Sequence, residues 1–230
     1  MNARERYRQT LTFGRPDRVF YQPCWAWQET LDRWQREGMP RDVKLEDYFG
    51  TDTYRNAPVG VGPLGHLSSG TIGLYPSFEV KVLEETETYI VRTTLDGQTV
   101  RQYKLNMNMP QYLDHPLKNR DDWEQKIRPR LNPYSPERYP PEWDQFVASA
   151  KNTDCPLIIW AASFWGRLNI WAGLENLSYL FYDDPMLMHE INEYLAWFVI
   201  ESLHKAFDAV TFDCVFIWED MSGKGGPLCS

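Results

Sequence analysis

Two apolar runs that flank a long amphipathic segment constrain the fold of this chain more than any other feature. Residues 156–162 are apolar at every position and residues 212–218 at all but one, a pattern typical of strands that are buried on both faces. Between them, Asp184-Pro185 predicts the start of a long helix with one apolar stripe. Buried strands that alternate with amphipathic helices predict a parallel α/β sheet covered on both faces, as a barrel or as an open doubly wound sheet.

The first half of the chain is predicted to begin with a helix, followed by a strand and a second helix. Asn2 followed by Glu5 has the spacing of an N-terminal capping box. Residues 19–27 are interpreted as a buried strand and residues 29–37 as the short helix after it. Residues 48–73 are rich in glycine and proline without a steady period, so we expect an irregular segment that lies over a site.

Residues 78–105 have a different pattern from the rest of the chain. Three runs of alternating or β-branched residues are separated by Glu84-Glu85 and by Asp96-Gly97, and Asp-Gly is a strong signal for a tight turn between strands. The segment is therefore predicted to form an antiparallel meander outside the central sheet.

Composition and charge exclude several classes of protein. The chain has 230 residues, 43% of them apolar, which suits one domain with a sizeable core. A net charge of −8 and the lack of basic runs argue against a nucleic-acid partner. The apolar stretches are too short to span a membrane, and the N-terminus lacks the apolar core of a signal peptide. Four widely spaced cysteines favour reduced thiols, so we expect a cytoplasmic protein.

Functional side chains are expected where the parallel strands end, because such sheets collect their sites at the carboxyl ends of the strands. Glu219 and Asp220 directly follow the second apolar run, and Trp165 and Arg167 follow the first. Adjacent carboxylates point in different directions, so we expect Glu219 to transfer a proton and Asp220 to hold the glycine-rich loop after it. In the structural alternative, Asp220 caps a turn and Glu219 pairs with Lys224 or Arg167.

Four further residues are candidates for substrate binding together with Trp165 and Arg167. They are Trp27 and Asp52 in the first half, His66 in a glycine-rich stretch, and Lys224 in the loop after the second apolar run. The histidines and cysteines do not have the spacing of a metal site, so no metal ligand is assigned.

Several short motifs occur in a fixed order along the chain. They are Arg-Glu-Arg-Tyr at 4–7, Gly-Arg-Pro-Asp-Arg-Val at 14–19, Tyr-Phe-Gly-Thr-Asp at 48–52, Phe-Tyr-Asp-Asp-Pro at 181–185 and Trp-Glu-Asp-Met at 218–221. Together they resemble the uroporphyrinogen decarboxylase (URO-D) and corrinoid methyltransferase superfamily, and its uncharacterised URO-D-like branch above all. The resemblance implies a (β/α)₈ TIM barrel with its site in the cleft at the carboxyl ends of the strands.

The resemblance also implies that the barrel is incomplete in this chain, because 230 residues with about four predicted central strands are too few for eight. It implies one partial URO-D-like TIM barrel over residues 1–230, truncated after about the fourth strand, with the meander at 78–105 as an insertion. Such a fragment exposes a strand edge and part of its apolar interior. We therefore expect it to be poorly soluble or a homo-oligomer when produced alone.

The superfamily includes two chemistries, and the first is decarboxylation of a tetrapyrrole in porphyrin biosynthesis. Those enzymes hold a polycarboxylate substrate with an arginine-rich loop after the first strand. Here residues 24–30 contain no arginine and one glutamate, and residues 168–171 offer no counterpart of the family's catalytic tyrosine. Uroporphyrinogen decarboxylation is therefore kept as the alternative function.

The second chemistry is methyl transfer, which we expect for this chain. The resemblance implies a corrinoid (cobalamin) cofactor, and a zinc that converts the acceptor thiol into a thiolate through ligands beyond residue 230. An aromatic cleft with acids and without an arginine cluster suits a neutral or cationic methyl donor. The expected partner is a small molecule or a corrinoid protein.

Two other classes stay open. A tryptophan-rich barrel with a glutamate at a strand end is also typical of glycoside hydrolases, in which Glu219 would be the acid and its partner carboxylate would lie about 5–9 Å away on a later strand. Trp218 stands where the large barrel glycosidase clan favours asparagine. A non-catalytic ligand-binding barrel is the remaining class.

Overall fold

The structure, a computed structural model, describes residues 1–22, 26–60, 73–105 and 109–228. Within these ranges it is mixed α/β, with a three-stranded parallel sheet, a four-stranded antiparallel sheet and a two-stranded hairpin. The α-helices are α1 (Ala3–Leu11), α2 (Gln28–Arg36), α3 (Leu45–Phe49), α4 (Arg120–Asp122), α5 (Trp143–Ala150), α6 (Trp165–Ala172), α7 (Leu174–Asp183) and α8 (Pro185–Ala209). A π-helical turn (Trp123–Ile127) and two 3-10 turns (Arg128–Arg130 and Pro136–Arg138) follow α4. The strands are β1 (Arg55–Gly60), β2 (Val82–Glu85), β3 (Tyr89–Thr93), β4 (Thr99–Tyr103), β5 (Gln111–Asp114), β6 (Leu157–Ala162), β7 (Cys214–Ile217), β8 (Ser222–Gly223) and β9 (Gly226–Pro227). Among the described helices, none is both long enough and apolar enough to cross a membrane.

The parallel sheet has the order β1-β6-β7, so β6 lies in its centre. β6 is the first predicted apolar run, and its side chains Leu157 and Ile159 are buried. α8 packs against β1 and β6 and begins at the predicted cap, where the Asp184 carboxylate accepts the Leu187 N–H at 3.0 Å. These elements confirm the predicted parallel α/β unit. The described residues contain no closed barrel, since the sheet ends at β1 on one side and at β7 on the other.

The first strand lies at a different place from the predicted one. The described part of residues 19–27 is not a strand and Tyr21 is exposed, whereas β1 lies within the segment predicted to be irregular. The Tyr21 N–H donates to the Asp52 carboxylate at 2.9 Å, and the Tyr21 carbonyl accepts the Asp52 N–H at 2.8 Å. This segment is therefore bound to the loop before β1. Pro58 within β1 has no N–H to donate, which a strand at a sheet edge tolerates.

Helix α1 covers the amino-terminal edge of the parallel sheet. The predicted capping box is confirmed, because Asn2 and Glu5 each bind the backbone N–H of the other with their side chains. Arg4 and Arg8 both pair with the buried carboxylate of Asp213, at 2.8 and 2.6 Å, just before β7 begins. The opposite, carboxyl-terminal edge is therefore the place to look for a site.

The antiparallel meander lies outside the parallel sheet, as predicted, but it is longer than predicted. Its strands have the order β2-β3-β4-β5 and span residues 82–114 rather than 78–105. Asp96-Gly97 forms the predicted turn between β3 and β4, and Gly97 has a φ of +84°, which favours glycine. All four residues of β5 are exposed. Because β5 has no buried face, its sequence Gln-Tyr-Leu-Asp does not alternate between apolar and polar residues, and the sequence pattern did not indicate a strand there.

Candidate functional site

The carboxyl-terminal edge of the parallel sheet brings together the ends of β6 and β7 and the start of α6. α6 begins shortly after β6 ends, and the predicted pair Glu219-Asp220 follows β7. Four of the predicted site residues, Glu219, Asp220, Trp165 and Arg167, therefore lie at the same edge. This is the edge at which parallel α/β sheets place functional side chains.

Glu219 binds the first turn of α6. One oxygen of its carboxylate accepts the Phe164 N–H, and the other accepts the Gly166 N–H at 3.0 Å. Phe164 is the N-cap residue of α6 and has no side-chain acceptor, so a carboxylate from the neighbouring strand satisfies helix N–H groups that lack other partners. The positive end of the helix dipole also favours a carboxylate there. Glu219 thus joins the end of β7 to the start of α6.

Asp220 binds a different partner from Glu219. Its exposed carboxylate accepts the Trp218 indole N–H at 3.1 Å. The expectation that Asp220 holds the following glycine loop through backbone N–H groups stays a prediction. That loop is a hairpin of β8 and β9 closed by its own backbone, with Lys224 exposed at its turn.

Arg167 pairs with Asp96 at the turn of the meander, and not with Glu219. Arg167 is only 3% exposed, and its Nη1 lies 3.4 Å from Asp96 Oδ1. Its Nη2 has no hydrogen-bond partner within the described residues. Burial lowers the pKa of the Arg167 guanidinium, and the charge of Asp96 opposes this effect. Burial raises the pKa of the Asp96 carboxyl, against the opposing effects of Arg167 and the Trp171 indole.

Three aromatic residues, Trp160, Phe216 and Trp218, pack together near this edge, and we call them the aromatic face. The register pairs Trp160 of β6 with Phe216 of β7, and their ring centroids are 4.1 Å apart. Trp218 stacks on Trp160 at 6.0 Å, and the Trp160 indole N–H donates to Asn56 Oδ1 at 3.0 Å. Trp218 is 39% exposed, so the aromatic face is partly open. Sequence reasoning missed this grouping, although the spacing of Phe216 and Trp218 by two residues was a signal that they share a face.

Trp165 lies in the core beside this edge. Its ring is buried and stacks on Phe181 of α7, with centroids 5.8 Å apart. In this conformation the Trp165 side chain packs α6 against α7 and presents no open surface. Its predicted contact with a substrate stays a prediction.

Asp52 lies at the amino-terminal edge, away from Glu219. It precedes β1, and its buried carboxylate accepts hydrogen bonds from Arg6 at 2.5 Å, from Arg18 at 2.6 and 3.0 Å, and from the Tyr21 N–H. These bonds tie the N-terminal segment to the start of the parallel sheet. The structure therefore does not bring Asp52 together with Glu219, and its contacts are those of a structural ion pair.

The two remaining candidates are not placed at the site. Trp27 is exposed and precedes α2 as its N-cap residue. His66 lies outside the described residues. The sequence signals for both were local composition alone, which does not fix a position in space.

Among the described residues, no group of three or more His, Cys, Asp or Glu side chains is arranged to hold a metal ion. Comparisons of the chain with family models, with curated proteins and with solved structures find no match.

Proposed function

We propose that this chain is part of a (β/α)₈-barrel enzyme, resembling the URO-D and corrinoid methyltransferase superfamily, that transfers a methyl group with a corrinoid cofactor. The parallel strands β1, β6 and β7 with α8 against them support the barrel. The covering of the amino-terminal edge by α1 supports a site at the opposite edge.

The observation that carries the proposal is the aromatic face. Trp160, Phe216 and Trp218 pack together beside the residue Glu219, and Trp218 leaves part of this apolar surface open. The face of a planar macrocycle can stack on such a ring. When bound, a corrinoid supplies the carrier for the methyl group. The described residues do not fit zinc, so no step is assigned to that metal.

In this proposal Glu219 is the group that moves a proton at the acceptor. Its carboxylate binds Phe164 and Gly166 N–H groups, so at least one of these bonds has to open before the carboxylate reaches a substrate. Asp220 and Lys224 lie on the exposed side of the same loop, where they can contact a substrate or a corrinoid protein.

The test is a titration of the protein with hydroxocobalamin, followed by the visible spectrum of the corrinoid. We expect a saturable spectral shift that weakens by about tenfold in Trp218→Ala, because a stacking surface is removed. Trp197→Ala is the matched control, since Trp197 on α8 is 40% exposed against 39% for Trp218. No shift, or an equal loss in both variants, would contradict corrinoid binding at the aromatic face. Release of reducing sugar from an oligosaccharide would favour a glycoside hydrolase instead.

A further inference from the structure

Two side chains of the turn between β3 and β4 are buried, although hairpin turns normally lie in solvent. Asp96 is 5% exposed and Gln98 is equally hidden. The turn is closed internally, because the Gly97 N–H donates to the Thr94 carbonyl at 3.0 Å and the Gln98 N–H donates to Thr94 Oγ1. The buried side chains of this turn therefore pack against another element.

That element is α6. Asp96 pairs with Arg167 in the first turn of α6. Just after β5, His115 Nδ1 donates to the Ile170 carbonyl at 2.8 Å. A Cβ added at Gly173 would lie 2.7 Å from the His115 ring. The meander therefore contacts α6 from its first turn to its end.

The same first turn of α6 binds Glu219 on its other side. Phe164 and Gly166 donate their N–H groups to Glu219, and Arg167 is the next residue after Gly166. We infer that Asp96 is a positioning residue for the Glu219 site: by holding Arg167 it fixes the two N–H groups that orient the Glu219 carboxylate. This inference rests on the proposed role of Glu219.

The physical reason is the cost of a buried charge. The guanidinium of Arg167 keeps its charge in a protein, and Asp96 is its charged partner within the described residues. Without that carboxylate, the buried guanidinium is uncompensated, which is strongly unfavourable. Arg167 then has to move toward water, and the first turn of α6 moves with it.

The test is hydrogen–deuterium exchange of the Phe164 and Gly166 amides in the folded protein. In Asp96→Asn we expect both amides to exchange about tenfold faster, relative to the amides of β6, because the local opening of the helix start becomes easier. Asp96→Glu keeps the charge and should restore most of the protection. Asp52→Asn is the matched control, because it removes a buried carboxylate that pairs with arginines at the opposite edge.

Unchanged exchange in folded Asp96→Asn, or an equal acceleration in Asp52→Asn, would overturn the inference. If Asp96→Asn does not fold, the double variant Asp96→Asn/Arg167→Met avoids the buried unpaired charge but still lacks the ion pair that holds the first turn of α6. We expect faster exchange of both amides in that variant too, and unchanged exchange there would overturn the inference. The exchange experiment needs no ligand. A failure of hydroxocobalamin binding would therefore contradict the proposed function without affecting the interpretation of the exchange rates.

Discussion

At the scale of single residues, Asp52 shows how buried ion pairs hold the N-terminal segment. Burial raises the pKa of its carboxyl, but the hydrogen bonds from Tyr21, Arg18 and Arg6 outweigh burial and bring the pKa below its ordinary value. A carboxyl with a lowered pKa in the folded state binds protons more weakly than in the unfolded chain. Its contribution to stability is therefore complete above about pH 4 and is lost as the pH falls through the folded-state pKa.

We expect Asp52→Asn to lower the free energy of unfolding by about 1–3 kcal/mol near neutral pH, since two arginines lose their charged partner. The difference from the wild type should shrink as the pH is lowered below about 4. Urea unfolding at several pH values measures both effects. Asp208→Asn is the control, because Asp208 pairs with His204 in an exposed position, where such pairs contribute about 0–1 kcal/mol. A difference that stays constant with pH would contradict this assignment.

The sequence indicated single residues well where their partners are near in the chain. Asn2, Glu5 and Asp184 bind backbone N–H groups three residues away. The sequence alone shows this spacing of capping residues. The partners of Glu219 and Arg167 lie 53 to 71 residues away. Only the fold brings such residues together, so the pairing of the site could not be predicted.

At the scale of elements, the β3–β4 turn depends on a glycine for two separate reasons. Gly97 has a φ of +84°, and an added Cβ would lie 2.8 Å from the Phe78 ring. Gly50 has a φ of +64°, but nothing lies within 4 Å of its Cβ position. The two glycines therefore separate backbone strain from steric overlap.

We expect Gly50→Ala to cost about 1 kcal/mol from the left-handed backbone alone. Gly97→Ala should cost about 2–4 kcal/mol, because overlap with a ring is added to the same strain. The free energy of unfolding in urea gives both values. Equal costs would show that Phe78 moves aside freely and that the turn is not tightly packed.

The sequence predicted the elements whose own pattern is strong and missed those defined by their neighbours. β6, α8 and the Asp96-Gly97 turn were predicted, because apolar runs, helical spacing and turn residues are local signals. β1 contains Pro58 and was hidden in an irregular-looking segment. Residues 19–27 look like a strand by composition, but Asp52 binds the Tyr21 backbone instead.

At the scale of the whole molecule, β7 is the exposed end of the parallel sheet. Within the described residues it pairs with β6 alone, and its side chains Val215 and Ile217 are 46% and 52% exposed. An unpaired strand edge with apolar side chains favours association with other chains.

We expect this chain to form oligomers or aggregates at about 10–100 μM. The double variant Val215→Lys/Ile217→Lys should shift the chain toward the monomer, since charges on an edge strand block its pairing with another strand. Size-exclusion chromatography with light scattering measures the distribution. Ile200→Lys is the control, because Ile200 is exposed on α8 and not on a strand. A monomeric wild-type chain would show that the exposed edge of β7 does not cause association.

We propose that the carboxyl-terminal edge of the sheet transfers methyl groups and that Glu219 moves the proton at the acceptor. The most direct measurement is the loss of methylcobalamin, followed by its visible spectrum, with a simple alkyl thiol as acceptor. We predict turnover that falls by about 10²-fold or more in Glu219→Gln, which keeps one acceptor oxygen for the two α6 N–H groups but removes the carboxylate that takes the proton of the thiol, while circular dichroism shows that the fold is kept. No turnover by the wild-type protein, or turnover unchanged in Glu219→Gln, would contradict the claim and leave Glu219 as the cap of α6.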